Sequence, residues 1–467
     1  MSWEGWPTGS PLLRLRGQGE AMRDHSHHVE LSREDAVAQI IGKLGEGFGW
    51  AGSSAQGEVR DGETRMQEAC LKRSERVSVA EAAGRVLAFD VHSHIEAPNC
   101  LTCCMDSIAV HWDDFEGGAP DTSAWKRGVD WEFANTGVAM PEGFDAAVVV
   151  EHASVSEDEQ HVRIDAAPSG RFAGTRPAGS SMKPGDLLAP AGRVMTPDDV
   201  ARIVAGNVAS VRVVCKPRVA FIPTGNELVT PGGTIAHGKN IETNSLLVKG
   251  KVEQWGGRFV PFDIVPDDPD AICCAVQEAC EVADIVVLNA GSSKGSDDWS
   301  VEQLEEIGQV ICHQTNHGPG HHSSYAIVDA TPVVGISGPP WGASFTLNFY
   351  LRPLMYRFLG MDPTPKRVPV RLAEAFPAGG PGASKPNPGT SLPGEARPPE
   401  ATDEGAVFFS IKFLNVENGE DGTLVAHPAG GSPGSSEQRA ANAYYMMPSG
   451  PGAERPAAGD VIRVEFR

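Results

Sequence analysis

The chain has 467 residues, more than one ordinary domain, so two to four folded units are expected. Its formal net charge of -22 argues against a default nucleic-acid role. An anionic ligand would have to meet positive potential built locally from Arg, helix N-termini or a metal ion.

The longest apolar runs, such as Ala146-Ala147-Val148-Val149-Val150, are far shorter than a membrane span, and no basic segment followed by an apolar core marks a secretory signal. Nine Cys, with adjacent pairs at Cys103-Cys104 and Cys273-Cys274, read most simply as reduced thiols of a cytoplasmic protein.

Residues 1–30 carry Gly, Arg and a patch of His25, His27 and His28 without periodicity. They are expected to be a disordered extension, with Met22 as an alternative start. From Leu31 the pattern changes: Ser32 can cap a helix with Ala36, Ile40, Ile41 and Leu44 on its apolar face. A second helix is expected over 78–87, opened by a capping box of Ser78 and Glu81, after a Gly-rich insertion at 45–68. Residues 31–98 and 187–215 are assigned to a linker and dimerisation region. Short strands and turns over 99–186 predict a small β-rich domain, and Thr196-Pro197-Asp198-Asp199 predicts a helix start.

Residues 216–361 alternate short apolar strands (219–223, 258–264, 284–289, 332–336) with helices (244–255, 271–283, 301–307, 342–359). The pattern predicts a central α/β domain, its sheet mostly parallel and its helices on both faces. Residues 362–467 predict a C-terminal β domain interrupted by a Pro/Gly-rich insertion at 376–404. The expected fold class is therefore an α/β multidomain protein with small β-rich domains and an elongated helical linker.

Four strand ends carry turn residues and acids: Thr224-Gly225-Asn226-Glu227-Leu228, Pro266-Asp267-Asp268-Pro269, the segment 290–299 and Ser337-Gly338-Pro339-Pro340. The third holds Gly291, Ser292, Ser293, Lys294 and Asp298. Ligands of parallel sheets bind at the carboxyl ends of strands. Glycines let backbone N–H groups approach phosphate, and carboxylates on the same rim suit a hard divalent cation. Turn-making and helix capping are the competing explanation for Asp267 and Asp268 taken alone.

These residues carry a family resemblance. Thr224-Gly225-Asn226-Glu227-Leu228, then Asn240-Ile241-Glu242-Thr243-Asn244-Ser245, then Ile264-Val265-Pro266-Asp267-Asp268-Pro269 resemble molybdopterin molybdenumtransferases and the gephyrin E domain. Gly84-Arg85-Val86-Leu87-Ala88, Met105-Asp106, Asn135-Thr136-Gly137 and Leu351-Arg352-Pro353 fit the same pattern in order.

The resemblance implies insertion of molybdate into adenylated molybdopterin, with AMP released and Mg2+ or another divalent cation required. It also implies a cytoplasmic homodimer whose site lies between the α/β domain and the partner's small domain. The pathway's adenylyltransferase or molybdoenzyme apoproteins would be protein partners, and neither nucleic acid nor membrane is involved. By motif, Asp106, Glu227, Asp267 and Asp298 become catalytic candidates, the last three also metal ligands. Thr136, Thr224, Gly225, Gly291, Ser292, Ser293, Gly338, Pro340 and His321 become binding candidates.

The chain departs from the pattern at one loop above all. Where the family has Lys-Pro-Gly-Lys, it reads Gly318-Pro319-Gly320-His321. Ser181 replaces an Asp, Ser107-Ile108 a Gly-Tyr pair, and Ser337 and Pro339 the first Pro and the Asn of a Pro-Gly-Asn-Pro turn. Protonated or metal-bound His313, His317, His321 and His322, or Lys294, are candidate replacements for the lost charge. The alternatives are a catalytically impaired molybdopterin carrier or scaffold, or a variant preferring tungstate. Cys100, Cys103 and Cys104 with His92 and His94 have near-ligand spacing for zinc, though no second Cys-x-x-Cys completes a site.

Overall fold

A computed structural model describes residues 31–48, 73–289, 300–321, 323–377, 408–432, 434–449 and 453–467. Helix α1 (Arg33–Phe48) buries Ala36, Ile40 and Leu44, spaced four residues apart along one face. That face joins the core of the α/β region, with Val219, Phe221 and Leu354, and not the linker to which the sequence assigned it.

In the linker, strand Ser74–Ser78 pairs antiparallel with Ser210–Val214. The helix expected over 78–87 shrinks to one 3-10 turn, Val79–Glu81. Gly84 takes φ +76, and Val86 and Leu87 then bridge to Val194 and Val213. Pairing with returning chain thus overrides local helix preference. Helix α2 (Pro197–Ala205) forms as expected, with a reciprocal capping box of Thr196 and Asp199. Its Ile203 packs with Leu87, Leu188, Met195 and Val213 in one apolar cluster.

The small β region centres on Ser107–Val110, flanked by antiparallel strands Trp131–Ala134 and Ala146–Val149. Trp131, Ile108, Val110 and Val148 are buried in its core.

The central sheet has six strands: β1 (Arg218–Pro223), β2 (Arg258–Pro261), β3 (Ile285–Asn289), β4 (Gln309–His313), β5 (Ser324–Val328) and β6 (Thr331–Ile336), in the order β2-β1-β3-β6-β5-β4. The first four are mutually parallel, whereas β5 runs antiparallel to both its neighbours, β6 and the edge strand β4, so the sheet is mixed. Successive β1 residues point to opposite faces, as strand geometry requires. Val219 and Phe221 join α3 (Asn244–Gln254), α1 and the C-terminal helices, while Ala220 and Ile222 join α4 (Pro269–Val282) and α5 (Ser300–Ile307). Burial on both faces explains why these strands read as unbroken apolar runs.

After β6 come α6 (Pro340–Thr346), a π-turn (Leu347–Leu351) and α7 (Arg352–Leu359), where one continuous helix was expected.

The C-terminal region is a closed five-stranded barrel. Strands β7 (Val368–Leu372), β8 (Phe408–Asn418), β9 (Leu424–Pro428), β10 (Ala443–Ser449) and β11 (Val461–Phe466) pair in the ring β8-β9-β7-β11-β10-β8. Closure leaves no free edge among these five. The short strand His317–Gly318 adds to β8, welding the loop after β4 to the barrel.

Candidate functional site

The carboxyl ends of β1, β3 and β6 meet through a chain of hydrogen bonds. Thr224 follows β1 and is buried, and its Oγ1 donates to the Asn289 carbonyl at 2.7 Å. The Asn289 side chain accepts from Asn244 Nδ2 at 2.7 Å, and that Nδ2 also donates to the Gly338 carbonyl at 2.8 Å. Asn244 opens α3, Asn289 ends β3, and Gly338 precedes α6 with Pro340 as its first residue. One buried amide therefore sets the spacing of three loops.

The acids occupy the neighbouring loops. Gly225 has φ +146, and the Glu227 carboxylate lies 2.7 Å from where a Cβ on Gly225 would sit. At that φ any residue but glycine is strained. The Asn226 N–H donates to Asp267 Oδ2 at 2.8 Å, and the Asp267 N–H returns a bond to Asn226 Oδ1 at 3.3 Å. Asp268 caps α4 by accepting from the Ala271 N–H at 2.9 Å. The two adjacent acids thus divide: Asp268 serves the helix, and Asp267 ties two loops at the exposed rim. Lys239 Nζ donates to the Asn226 carbonyl at 2.6 Å, bringing one cation to the same rim.

Asn244, Asn289 and Lys239 were not singled out from sequence as site residues. A polar residue ending the otherwise apolar Ile285–Asn289 was the available signal.

Asn244 Oδ1, Ser337 Oγ and Trp341 Nε1 are buried with no hydrogen-bond partner among the described residues. Such atoms are rare in folded proteins and mark places where a polar ligand or water binds. Gly291, Ser292, Ser293, Lys294 and Asp298 lie outside the described residues.

His317 cannot replace a lost cation. It is fully buried, with Nε2 2.8 Å from the Tyr350 hydroxyl and Nδ1 3.1 Å from the Pro319 carbonyl. Burial lowers its pKa to about 3, with Arg33 and His321 adding to the effect, so the ring is neutral. His321 places Nδ1 against the Thr315 carbonyl and its ring edge-on to Phe408. His313 ends β4, and His322 lies outside the described residues.

The sign of the pH effect follows. In the unfolded chain His317 titrates near 6.5, so below that pH the unfolded state binds a proton that the folded state refuses. Stability is expected to fall by about 1.4 kcal/mol per unit from pH 6.5 towards 3 on this account. Denaturant titrations across pH 4–8 should show this slope in the native chain and its loss in His317→Gln.

In the small β region, Asp106 and Thr136 are brought together. The Thr136 N–H and hydroxyl both donate to Asp106 Oδ1, at 2.8 and 2.9 Å. These two bonds hold the Asp106 carboxyl below its usual range. Thr136→Val removes the hydroxyl bond alone, and an upward shift of the Asp106 titration, read by NMR, is the expected result.

Of the substituted positions, Ser107 and Ile108 are buried in the central strand, and Ser107 Oγ bonds the Met105 carbonyl at 2.8 Å. Ser181 is exposed, and its N–H donates to the Ala97 carbonyl at 2.9 Å. Cys103 is buried with Sγ 3.0 Å from the Met105 carbonyl. Among the described residues no group of three or more His, Cys, Asp or Glu is placed to hold a metal. The zinc spacing of Cys100, Cys103, Cys104, His92 and His94 therefore does not become a site.

Comparison with known proteins follows the same division. The family model "MoeA N-terminal region (domain I and II)" matches residues 57–206, and "Probable molybdopterin binding domain" matches 220–357; together they span more than half the chain. A molybdopterin molybdenumtransferase of Haemophilus influenzae is 26% identical over 299 residues, covering 62% of this chain and 74% of the relative. One of Nostoc sp. is 26% identical over 309 residues, covering 62% and 70%. In fold, a molybdopterin biosynthesis moeA protein from Pyrococcus horikosii superimposes with TM-score 0.65 at 20% identity, covering 94% of this chain and 99% of that one.

Proposed function

Because the chain belongs to the MoeA family, as a divergent member acting in molybdenum cofactor biosynthesis, we propose that it is a molybdopterin molybdenumtransferase that inserts molybdate into adenylated molybdopterin and releases AMP. The supporting observation is the strand-end rim, where Thr224, Asn244, Asn289 and Gly338 form one buried hydrogen-bonded unit beside Glu227 and Asp267.

Asn244 Oδ1 and Ser337 Oγ, which have no partner among the described residues, accept from or donate to the bound ligand. The exposed carboxylates of Glu227 and Asp267, on loops tied together through Asn226, suit a hard cation. With Asp298 they would hold Mg2+, which polarises the phosphate when bound. Lys239, bonded to the Asn226 carbonyl, supplies positive charge at this rim. Asp106, oriented by Thr136, completes the site from the partner subunit of a cytoplasmic homodimer.

A carrier or scaffold role draws its support from one fact, the neutrality of His317 in the substituted loop. Reconstitution separates the two. The chain is incubated with adenylated molybdopterin, molybdate and Mg2+, and the mixture is offered to a cofactor-free molybdoenzyme. Activity that appears with Mg2+ and is abolished by a chelator supports the transferase. Ligand binding without gain of molybdoenzyme activity, whether molybdate or tungstate is supplied, supports the carrier.

A further inference from the structure

Away from the strand-end rim, two half-buried cations, Lys251 and Arg352, lie beside Asn348, and the charge of the exposed Arg467 also reaches Lys251. Lys251 on α3 donates from Nζ to Asn348 Oδ1 at 3.0 Å and lies 5.3 Å from the centre of the Trp255 ring. Burial, with the charges of Arg352 and Arg467 adding to it, brings its pKa down to about 8. The Arg352 side chain, half-buried at the start of α7, has neither hydrogen bond nor ion pair among the described residues. Arg467 donates from Nη1 to the carbonyls of Gln438, Arg439 and Ala441 at 3.0, 3.2 and 3.2 Å, with its guanidinium over Trp341 and Phe413.

Among the described residues no side-chain carboxylate bonds or pairs with Lys251 or Arg352. Glu465, on the strand ending at Phe466, is already shared by Arg33, Arg367 and Tyr444. Half-buried like charges repel, and a chain of net charge -22 has acids in excess with which to neutralise them. The backbone is also modified at this place. The π-turn Leu347–Leu351 widens the helix at Asn348, one turn before Arg352, and such turns concentrate at functional sites.

We propose that Lys251, Asn348 and Arg352 form a binding site for a tetrahedral oxyanion or phosphate group, distinct from the strand-end rim. Lys251 lies two helical turns from Asn244, about 10 Å along α3. Arg352 offers a planar fork of donors, Lys251 a point charge, and Asn348 the amide N–H groups left over once its oxygen has accepted from Lys251.

The test follows thermal unfolding of the intact chain against sodium phosphate, sulfate and molybdate, each compared with sodium chloride at equal ionic strength. A saturable rise on the order of 2 °C is expected. It should vanish in Arg352→Gln, shrink in Lys251→Met and persist in Glu227→Gln, a variant of the strand-end rim. The anion acting at the lowest concentration identifies the source, molybdate or a phosphate.

A second measurement needs no variant. Trace acetylation at pH 8 with mass spectrometry should find Lys251 protected several-fold by the same anion. A rise no larger than that with chloride, a rise unchanged in Arg352→Gln, or equal Lys251 labelling with and without anion would overturn the proposal.

Discussion

Glu227→Gln is expected to slow AMP release from adenylated molybdopterin by about 100-fold or more while leaving the fold intact. The substitution keeps the shape of the side chain and removes only its charge. Glu227 is exposed and its carboxylate lies against Gly225, so the substitution leaves the packed core untouched. Asp267 differs because it also ties its loop to Asn226. Asp267→Asn should therefore reduce both the rate and the order of the two loops. Single-turnover AMP release with saturating Mg2+, together with an unchanged melting profile for Glu227→Gln, checks the first prediction. A variant that unfolds earlier would mean Glu227 has a structural role instead.

The largest stability effect is expected at Glu465. Its Oε1 accepts from Arg33 at 2.7 Å and Arg367 at 3.3 Å, and its Oε2 from the Tyr444 hydroxyl at 2.5 Å. Burial alone would raise its pKa, but Arg33, Tyr444 and Arg367 together hold it below the usual range. Arg33 is 2% exposed and also lies 3.9 Å from the centre of the Phe349 ring. Glu465→Ala strands this buried guanidinium, at a cost of about 3–5 kcal/mol. Replacing both partners, as in Arg33→Met with Glu465→Leu, should recover most of the loss, because two apolar residues avoid the desolvation that the ion pair must offset. Chemical denaturation of the three variants tests this. Equal destabilisation in the single and double variants would show that packing, and not the ion pair, holds α1 to the barrel.

Much of the α/β layer was legible in the sequence because its signals are local. Ile285–Asn289 is an apolar strand bounded by turn residues, and Asp268-Pro269 announces a helix by cap and first-turn proline. The antiparallel edge was harder to read. Its hairpin turns through Asp329 and Ala330, with φ of 47 and 65, a left-handed conformation usually announced by Asn-Gly or Asp-Gly. Gly84 shows the reverse error, since Ser78 and Glu81 supply a capping signature but the chain beyond Gly84 enters β-bridges with distant residues.

The site divides in the same way. Motifs in fixed order singled out Asp106 and Thr136, which hydrogen bonds join, and Glu227 and Asp267, whose loops Asn226 ties together. His317 was misjudged because Phe349 and Tyr350, which pack against its ring, come from a distant helix. Asn244 as a clasp between strands could not be seen at all, because its meaning lies in Asn289 and Gly338, far along the chain.

One measurement bears most directly on whether the acids at this rim suffice without the loop lysines: the AMP formed per chain when the intact protein meets adenylated molybdopterin, molybdate and Mg2+. Release of one AMP for each bound ligand in the native chain, falling about 100-fold in Glu227→Gln, is the predicted result. Stoichiometric binding of adenylated molybdopterin with no AMP released at any molybdate concentration would contradict it.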